Sequence, residues 1–389
     1  MKIAIDIRAL QDKIHSGVQE YLLNLLENAL EIDQKNEYVL FSIGYRNLNH
    51  QKLQELVKGH KNITTKHLKL PNKLITFCWR FFSWPNLNKI LNNPDIIFTP
   101  NINILPKNII NKTIITFHDL SFKRFPEFFS FKSRLWHKFI GIGLLVEKCR
   151  AIIAVSSSTK QDIKKFYGIP GKKIKIIPLG RKKEPKIILS KTKENNRKKI
   201  TMIKRKYKLP DKFILYLGTL EPRKNIIGII RAYNLLRKNN KFNTYKLVLA
   251  GPKGWLFKKI FKEAKKSFYG QDIIFTGPIL RDDRIYLYKL ATIFIYPSFL
   301  EGFGLPPLEA MACGLPAITS NRSSLPSVVA NAAVMVDPYR IGDITWAIEE
   351  ILGDKNLYEE LRRTGFARAR KFSWKKTAER TLDVFKKSK

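Results

Sequence analysis

The stretch SFLEGFGLPPLEAMACGLPAI, residues 298–318, sets two carboxylates, Glu301 and Glu309, eight positions apart with glycines and prolines between them. An ionised carboxylate only accepts hydrogen bonds, so a pair of them suits a ligand rich in hydroxyls. Glycines let backbone N–H groups come close to a ligand. Pro306 or Pro307 fits the first turn of a helix and Gly314 the position just past its end. Glu301 then falls in a loop, and Glu309 in or near the first turn of a short helix. A helix N-terminus attracts phosphate through its N–H groups and dipole. One reading is a phosphate held in the middle with sugar hydroxyls on either side. The other is that Glu309 only complements the dipole and Glu301 is a solvated loop acid. Upstream, LYLGTLEPRKN (215–225) carries Gly218 and then the adjacent cations Arg223 and Lys224. Such a pair can neutralise a diphosphate and stabilise it as a leaving group.

These groups need strands to deliver them. KIAIDI (2–7) is a short apolar run suited to a buried strand, and Val18, Tyr21, Leu22, Leu25, Leu26, Ala29 and Leu30 recur after the HSGVQ loop at helical spacing. Further strand-like runs fall at 38–43, 96–100, 113–118 and 151–156. From about 213 the alternation begins again, with strands at 213–218, 245–251, 273–277, 292–298, 316–320 and 333–338 and helices around 225–238, 255–267 and 282–290. Strands alternating with helices predict parallel sheets with crossovers. Between the halves, residues 181–212 hold fourteen Lys or Arg against three acids and read as a basic linker, partly helical near 194–207. The expected fold is α/β with two Rossmann-like domains facing each other across a central cleft. They span 1–180 and 213–371, with 372–389 as a closing helix. Ligands of such sheets sit outside the carboxyl ends of the strands.

With 389 residues, 44% hydrophobic and 27% charged, the chain has the composition of a folded multidomain protein. The first residues do not read as a signal peptide, because Asp6 and Arg8 interrupt the apolar run. No apolar run reaches the about 20 residues of a spanning helix. Cys78, Cys149 and Cys313 fit neither a disulfide framework nor a zinc site, and a reducing cytoplasm is the expectation. Lys plus Arg number 72 against 32 acids, a net charge of +40. That balance points to an anionic partner, or else to compositional bias with solvated lysines.

The chain resembles the retaining GT-B glycosyltransferases known as glycosyl transferases group 1, or family four. The residues that carry the resemblance are SGVQEYLLNLL (16–26), TFHDLSFKRFPEFFS (116–130), AVSSSTKQDI (154–163), GTLEPRKN (218–225), FTGPI (275–279) and YPSFLEGFGLPPLEAMACGLPAITS (296–320). FSWKKTAERTLDVF (372–385) is similar to the family helix that crosses back to the N-terminal domain.

The resemblance implies that Glu301 holds donor-sugar hydroxyls and Glu309 the ribose. The backbone at Gly302, Phe303 and Gly304 would line the sugar and diphosphate, with Gly218, Thr219 and Leu305 completing the donor set. Arg223 and Lys224 would bind the diphosphate. Gly277 to Ile279 would meet the base, Gly17 would let the first loop approach donor and acceptor, and His118 would stand near the transferred sugar, with Asp119 orienting its loop. The co-substrate is a nucleotide-diphosphate sugar, GDP-mannose by similarity to bacterial mannosyltransferases of surface polysaccharide assembly. No other cofactor and no metal are expected; RDDR (281–284) reads as a helix cap. Thr219 stands where many relatives have Arg, Ser327 where Glu is common and Asn331 where Gly is frequent.

The expected acceptor is a glycan or a lipid-linked glycan. NKLITFCWRFFSWPNLNKIL (72–91) reads either as an amphipathic patch for an anionic inner membrane leaflet or as an ordinary core helix. The alternative function is a basic nucleic-acid- or membrane-binding protein that keeps the fold without transfer activity. No nucleic-acid motif is present, and Glu301 and Glu309 would repel phosphates, so no nucleic-acid partner is expected.

Overall fold

The computed structural model describes residues 1–11, 17–44, 51–181 and 193–389. Residues 12–16, just before Gly17, and residues 182–192 of the basic linker lie outside them. The chain divides into two compact units, Met1–Gly180 with Ser373–Lys389, and Arg181–Phe372.

The first unit is built on a seven-stranded sheet in the order β3-β2-β1-β4-β5-β6-β7, every pair parallel. Its strands are β1 Lys2–Asp6, β2 Glu37–Ile43, β3 Ile63–Leu68, β4 Ile96–Thr99, β5 Thr113–Phe117, β6 Ala151–Ala154 and β7 Ile174–Ile176. The interior strands are near-continuous Ile, Val, Phe and Ala, as strands buried on both faces require. The two edge strands β3 and β7 are absent from the sequence reading. ITTKHL and IKI leave half or more of their side chains exposed or half-buried, so neither shows an apolar run. Helix Gly17–Ile32 buries Tyr21, Leu22, Leu25, Leu26, Ala29 and Leu30, the face expected from its periodicity.

The second unit carries a six-stranded parallel sheet in the order β10-β9-β8-β11-β12-β13. Its strands are β8 Phe213–Leu217, β9 Lys246–Ala250, β10 Ile273–Gly277, β11 Ile293–Tyr296, β12 Ala317–Ser320 and β13 Val334–Val336. The strand order reverses at β1/β4 in the first sheet and at β8/β11 in the second, the places where open α/β sheets form a crevice.

The basic segment contains helix Lys193–Tyr207, which belongs to the second unit, with Ile203 and Tyr207 buried. Its anchor qualifies the reading of RDDR, where Asp283 does hold the N-cap position of helix Arg284–Leu290. Asp283 makes no capping hydrogen bond; its Oδ2 accepts from Lys206 Nζ and Tyr207 Oη, each at 2.7 Å. Among the described residues, no helix is long and apolar enough to cross a membrane, and no group of three His, Cys, Asp or Glu is placed to hold a metal.

Candidate active site

Gly218 follows β8, Gly251 follows β9 and Gly277 ends β10, and the loops beyond them run close together. Gly218 N donates to Ala250 O at 2.9 Å, Gly251 N to Gly277 O at 3.0 Å, and Leu220 N to Pro252 O at 2.9 Å. Gly251 has φ +140°, and a Cβ there would fall 2.0 Å from the Gly218 carbonyl oxygen. Only glycine fits this crossing. Sequence reasoning passed over it, although it ends the strand YKLVLAG.

The chain then makes a 3-10 turn, Pro222–Lys224, closed by Asn225 in the left-handed region at φ +56°. Asn225 Nδ2 donates to Pro338 O at 2.6 Å, tying this turn to the segment after β13. The turn aims Arg223 and Lys224 at the loop after β11. Arg223 holds that loop twice: its carbonyl accepts from Phe299 N at 3.0 Å and its Nη1 donates to Leu300 O at 2.9 Å. Glu301 is fixed there by its own backbone, its N–H donating to Ser323 Oγ at 2.9 Å.

The side chains meet in a buried cluster. Lys224 Nζ lies 2.6 Å from Glu301 Oε1 and 2.7 Å from Tyr296 Oη, and Arg223 Nη2 lies 2.9 Å from Glu221 Oε1. Arg223 Nη1 also reaches Glu301 Oε2 at 3.5 Å. Two cations thus face two anions, all four side chains largely buried. Burial alone would raise the Glu301 carboxyl; the charges of Lys224 and Arg223 outweigh it and hold the acid below its ordinary range. Burial, with Arg223 as a second cause, makes Lys224 less basic than usual. Burial pushes Glu221 up against the pull of both cations. Beneath the lysine, Tyr296 stacks on Tyr216 with ring centroids 5.8 Å apart, and its ring lies 5.1 Å from Lys224 Nζ. Glu221, Tyr216 and Tyr296 lie within quoted strand and loop segments, but nothing in residue type or spacing singles them out.

Glu309 has different surroundings. It is the fifth residue of helix Leu305–Ala312, one position past the first turn, and its Oε2 accepts from Tyr288 Oη at 2.9 Å. The N-terminus of this helix is poorer in donors than expected. Pro306 and Pro307 carry no N–H, and Leu308 N is bonded to Gly304 O, so Leu305 supplies the N–H of the first turn. Gly304, at φ +107°, turns the chain into the helix. Gly302 is buried, the Phe303 ring is buried against Phe372, and the Phe303 carbonyl accepts from Ser324 Oγ at 2.9 Å. Thr219 accepts through its carbonyl from Tyr216 Oη at 2.9 Å. Gly277, at φ +72°, opens the turn to the half-buried Ile279. Tyr207 braces that turn, accepting from Leu280 N at 3.3 Å while bonded to Asp283.

Gly17 and His118 belong to the first unit. Gly17 is exposed at the start of helix Gly17–Ile32, with open space where a Cβ would stand. His118 follows β5; its Nε2–H donates to the Pro100 carbonyl after β4 at 2.8 Å, leaving Nδ1 as the ring's acceptor. Burial lowers its basicity, so the ring is neutral near pH 7. Asp119 Oδ1 accepts from the Ser121 N–H and hydroxyl at 2.9 and 2.6 Å.

Comparisons with known proteins agree with this architecture. The profile of Glycosyl transferases group 1 matches residues 197–368, and that of Glycosyltransferase Family 4 matches residues 15–183. The O-antigen chain mannosyltransferase B of Escherichia coli is 32% identical over 278 residues, covering 71% of each chain. The serotype-specific mannosyltransferase WbdA of Escherichia coli is 35% identical over 245 residues, which are 61% of this chain and 29% of that larger protein. Among solved structures, the sucrose-phosphate synthase of Thermosynechococcus elongatus superposes with a TM-score of 0.75 over 100% of this chain and 98% of its own, at 17% identity, a likeness of fold.

Proposed function

The chain belongs to the group 1, family 4 glycosyltransferases, and from that premise we propose that it transfers mannose from GDP-mannose to a growing surface glycan. The acceptor in this reading is a polysaccharide or lipid-linked glycan, and the work is done in the cytoplasm at the inner face of the membrane. The mannosyl donor rests on the relatives named O-antigen chain mannosyltransferase B and WbdA.

The observation that carries the chemistry is the buried cluster of Lys224, Arg223, Glu301 and Glu221 at the β8/β11 crevice. Lys224 spends two of its three N–H groups on Glu301 and Tyr296, leaving one for an incoming phosphate oxygen. In a site this buried, a fixed cation stabilises charge developing on a leaving diphosphate far better than water does. Glu301, kept ionised beside it, accepts from sugar hydroxyls, and Glu309 accepts from the ribose. The bond from the anomeric carbon to the diphosphate breaks, and the acceptor oxygen bonds to that carbon on the same face. The acceptor's proton passes to a phosphate oxygen. Configuration is retained and no metal takes part.

The test is a donor panel of GDP-mannose, UDP-glucose, UDP-galactose, UDP-N-acetylglucosamine and ADP-glucose, assayed for binding and cleavage with EDTA present. GDP-mannose alone should register, and Lys224→Ala should lower turnover by about 100-fold or more. Preference for another donor, dependence on added divalent metal, or an undiminished Lys224→Ala variant would each overturn the corresponding part of the reading.

A further inference from the structure

Helix Asn72–Phe81 has two apolar faces. Ile75 and Trp79 point into the first unit's core, while Leu74, Phe77 and Phe81 lie exposed on the opposite side. A helix on a water-facing surface normally turns a polar face outward. Just beyond it, Phe82 and Trp84 are 70% and 66% exposed. Helix Phe131–Ile140 repeats the pattern, with Phe131 at 74% exposure and Leu135 and Trp136 also outward. Eight of the eighteen large apolar side chains exposed among the described residues fall in these two segments.

The two segments form one surface. The Phe81 and Phe139 ring centroids are 6.2 Å apart, and Phe139 lies 5.9 Å from Trp136. The Arg80 guanidinium rests against Gly141, whose φ of +69° and missing Cβ leave room for it. The charge around the patch has one sign. Lys73 and Arg80 flank it on one helix, and Lys132, Arg134 and Lys138 on the other. Residues 69–94 contain no acid, and 121–140 only Glu127.

We infer that the outer faces of helices Asn72–Phe81 and Phe131–Ile140 form a docking surface for an anionic lipid bilayer. Exposed apolar clusters of this kind mark interaction sites. Trp and Phe with a basic rim suit the headgroup boundary, where the rings leave water and each cation meets anionic lipid. A second copy of this chain is a poor occupant, because a self-complementary contact would bring the same cations face to face. The inference deepens the proposed function, since a lipid-linked acceptor is reached from a bilayer surface.

The full chain is to be sedimented with vesicles containing phosphatidylglycerol and with vesicles of phosphatidylcholine alone, at physiological ionic strength. It should pellet with the former and remain in solution with the latter. Phe82→Ser with Trp84→Ser, and separately Lys132→Glu with Arg134→Glu, should each weaken binding by at least about tenfold. Both double variants should keep the wild-type thermal midpoint and donor binding. The inference is overturned if the wild type ignores phosphatidylglycerol vesicles, if both variants bind as the wild type does, or if sedimentation velocity shows a dimer that these substitutions dissolve. Donor binding is read separately on the same samples, so loss of the transferase reading leaves the vesicle result standing, and the reverse.

Discussion

Lys224 is gripped at once by a carboxylate and a phenol, Glu301 Oε1 at 2.6 Å and Tyr296 Oη at 2.7 Å. The two grips differ in energy. Removing a neutral hydrogen-bond partner while keeping its ring costs about 1 kcal/mol, whereas stripping one member from a buried ion pair costs about 3–5 kcal/mol. Tyr296→Phe keeps the stack on Tyr216 and the charge balance, so urea unfolding should show a loss of about 1 kcal/mol. Glu301→Ala leaves Arg223 and Lys224 facing Glu221 alone, and its loss should be several times larger. Equal losses in the two variants would mean that the cluster is more hydrated than its burial implies.

At the scale of elements, helix Lys193–Tyr207 is held to the second unit through Asp283. Burial would raise the Asp283 carboxyl, but the hydrogen bonds from Lys206 and Tyr207 outweigh it and keep the acid below its ordinary range. The unfolded or undocked form therefore takes up a proton first as pH falls. The docking contribution is complete above the ordinary Asp pKa of about 3.9 and is lost as pH drops through that value toward the folded one. Protection of the amides across 197–207, measured against their intrinsic exchange rate at each pH, should be high near neutral pH and fall in that acid window ahead of β8 and β11. Asp283→Asn should bring that loss of protection to neutral pH. Because Tyr207 also braces the turn after Gly277, the same variant should loosen residues 277–283. Exchange that stays slow in Asp283→Asn would show that Ile203 and Tyr207 packing alone holds the helix.

At the scale of the molecule, the last helix of the chain completes the first unit. Helix Trp374–Lys387 packs on helix Gly17–Ile32, with the Phe385 ring 5.2 Å from Phe98 and Trp374 6.1 Å from Tyr21. Thr377 Oγ1 donates to Pro178 O at 2.8 Å, and a Cβ at Gly180 would fall 2.1 Å from Trp374 N. Truncation after Phe372 uncovers Tyr21 and Phe98. Its unfolding should show the first unit lost at lower denaturant than in the full chain, while the second unit keeps its own midpoint. One common transition at the wild-type midpoint would contradict this division.

The sequence by itself determined the two parallel α/β units, because interior strands buried on both faces must be apolar along their whole length and their crossover helices must carry an apolar stripe. It determined the family as well, since the glycine, cation and acid runs at strand ends are local features. It also placed Arg223, Lys224 and Glu301 in the loops that the structure brings into contact. It did not reveal the edge strands β3 and β7, whose mixed composition hides them. Nor did it reveal that the carboxylate of Asp283, the N-cap residue of helix Arg284–Leu290, bonds to Lys206 and Tyr207 instead of to that helix, because those partners are 77 and 76 residues away. Only the tertiary structure decided that Lys224 shares Glu301 with Arg223, that Gly251 passes against Gly218, and that helix Asn72–Phe81 is both core and surface. Each of these is a contact between distant segments, and local residue type and spacing do not encode which segments meet.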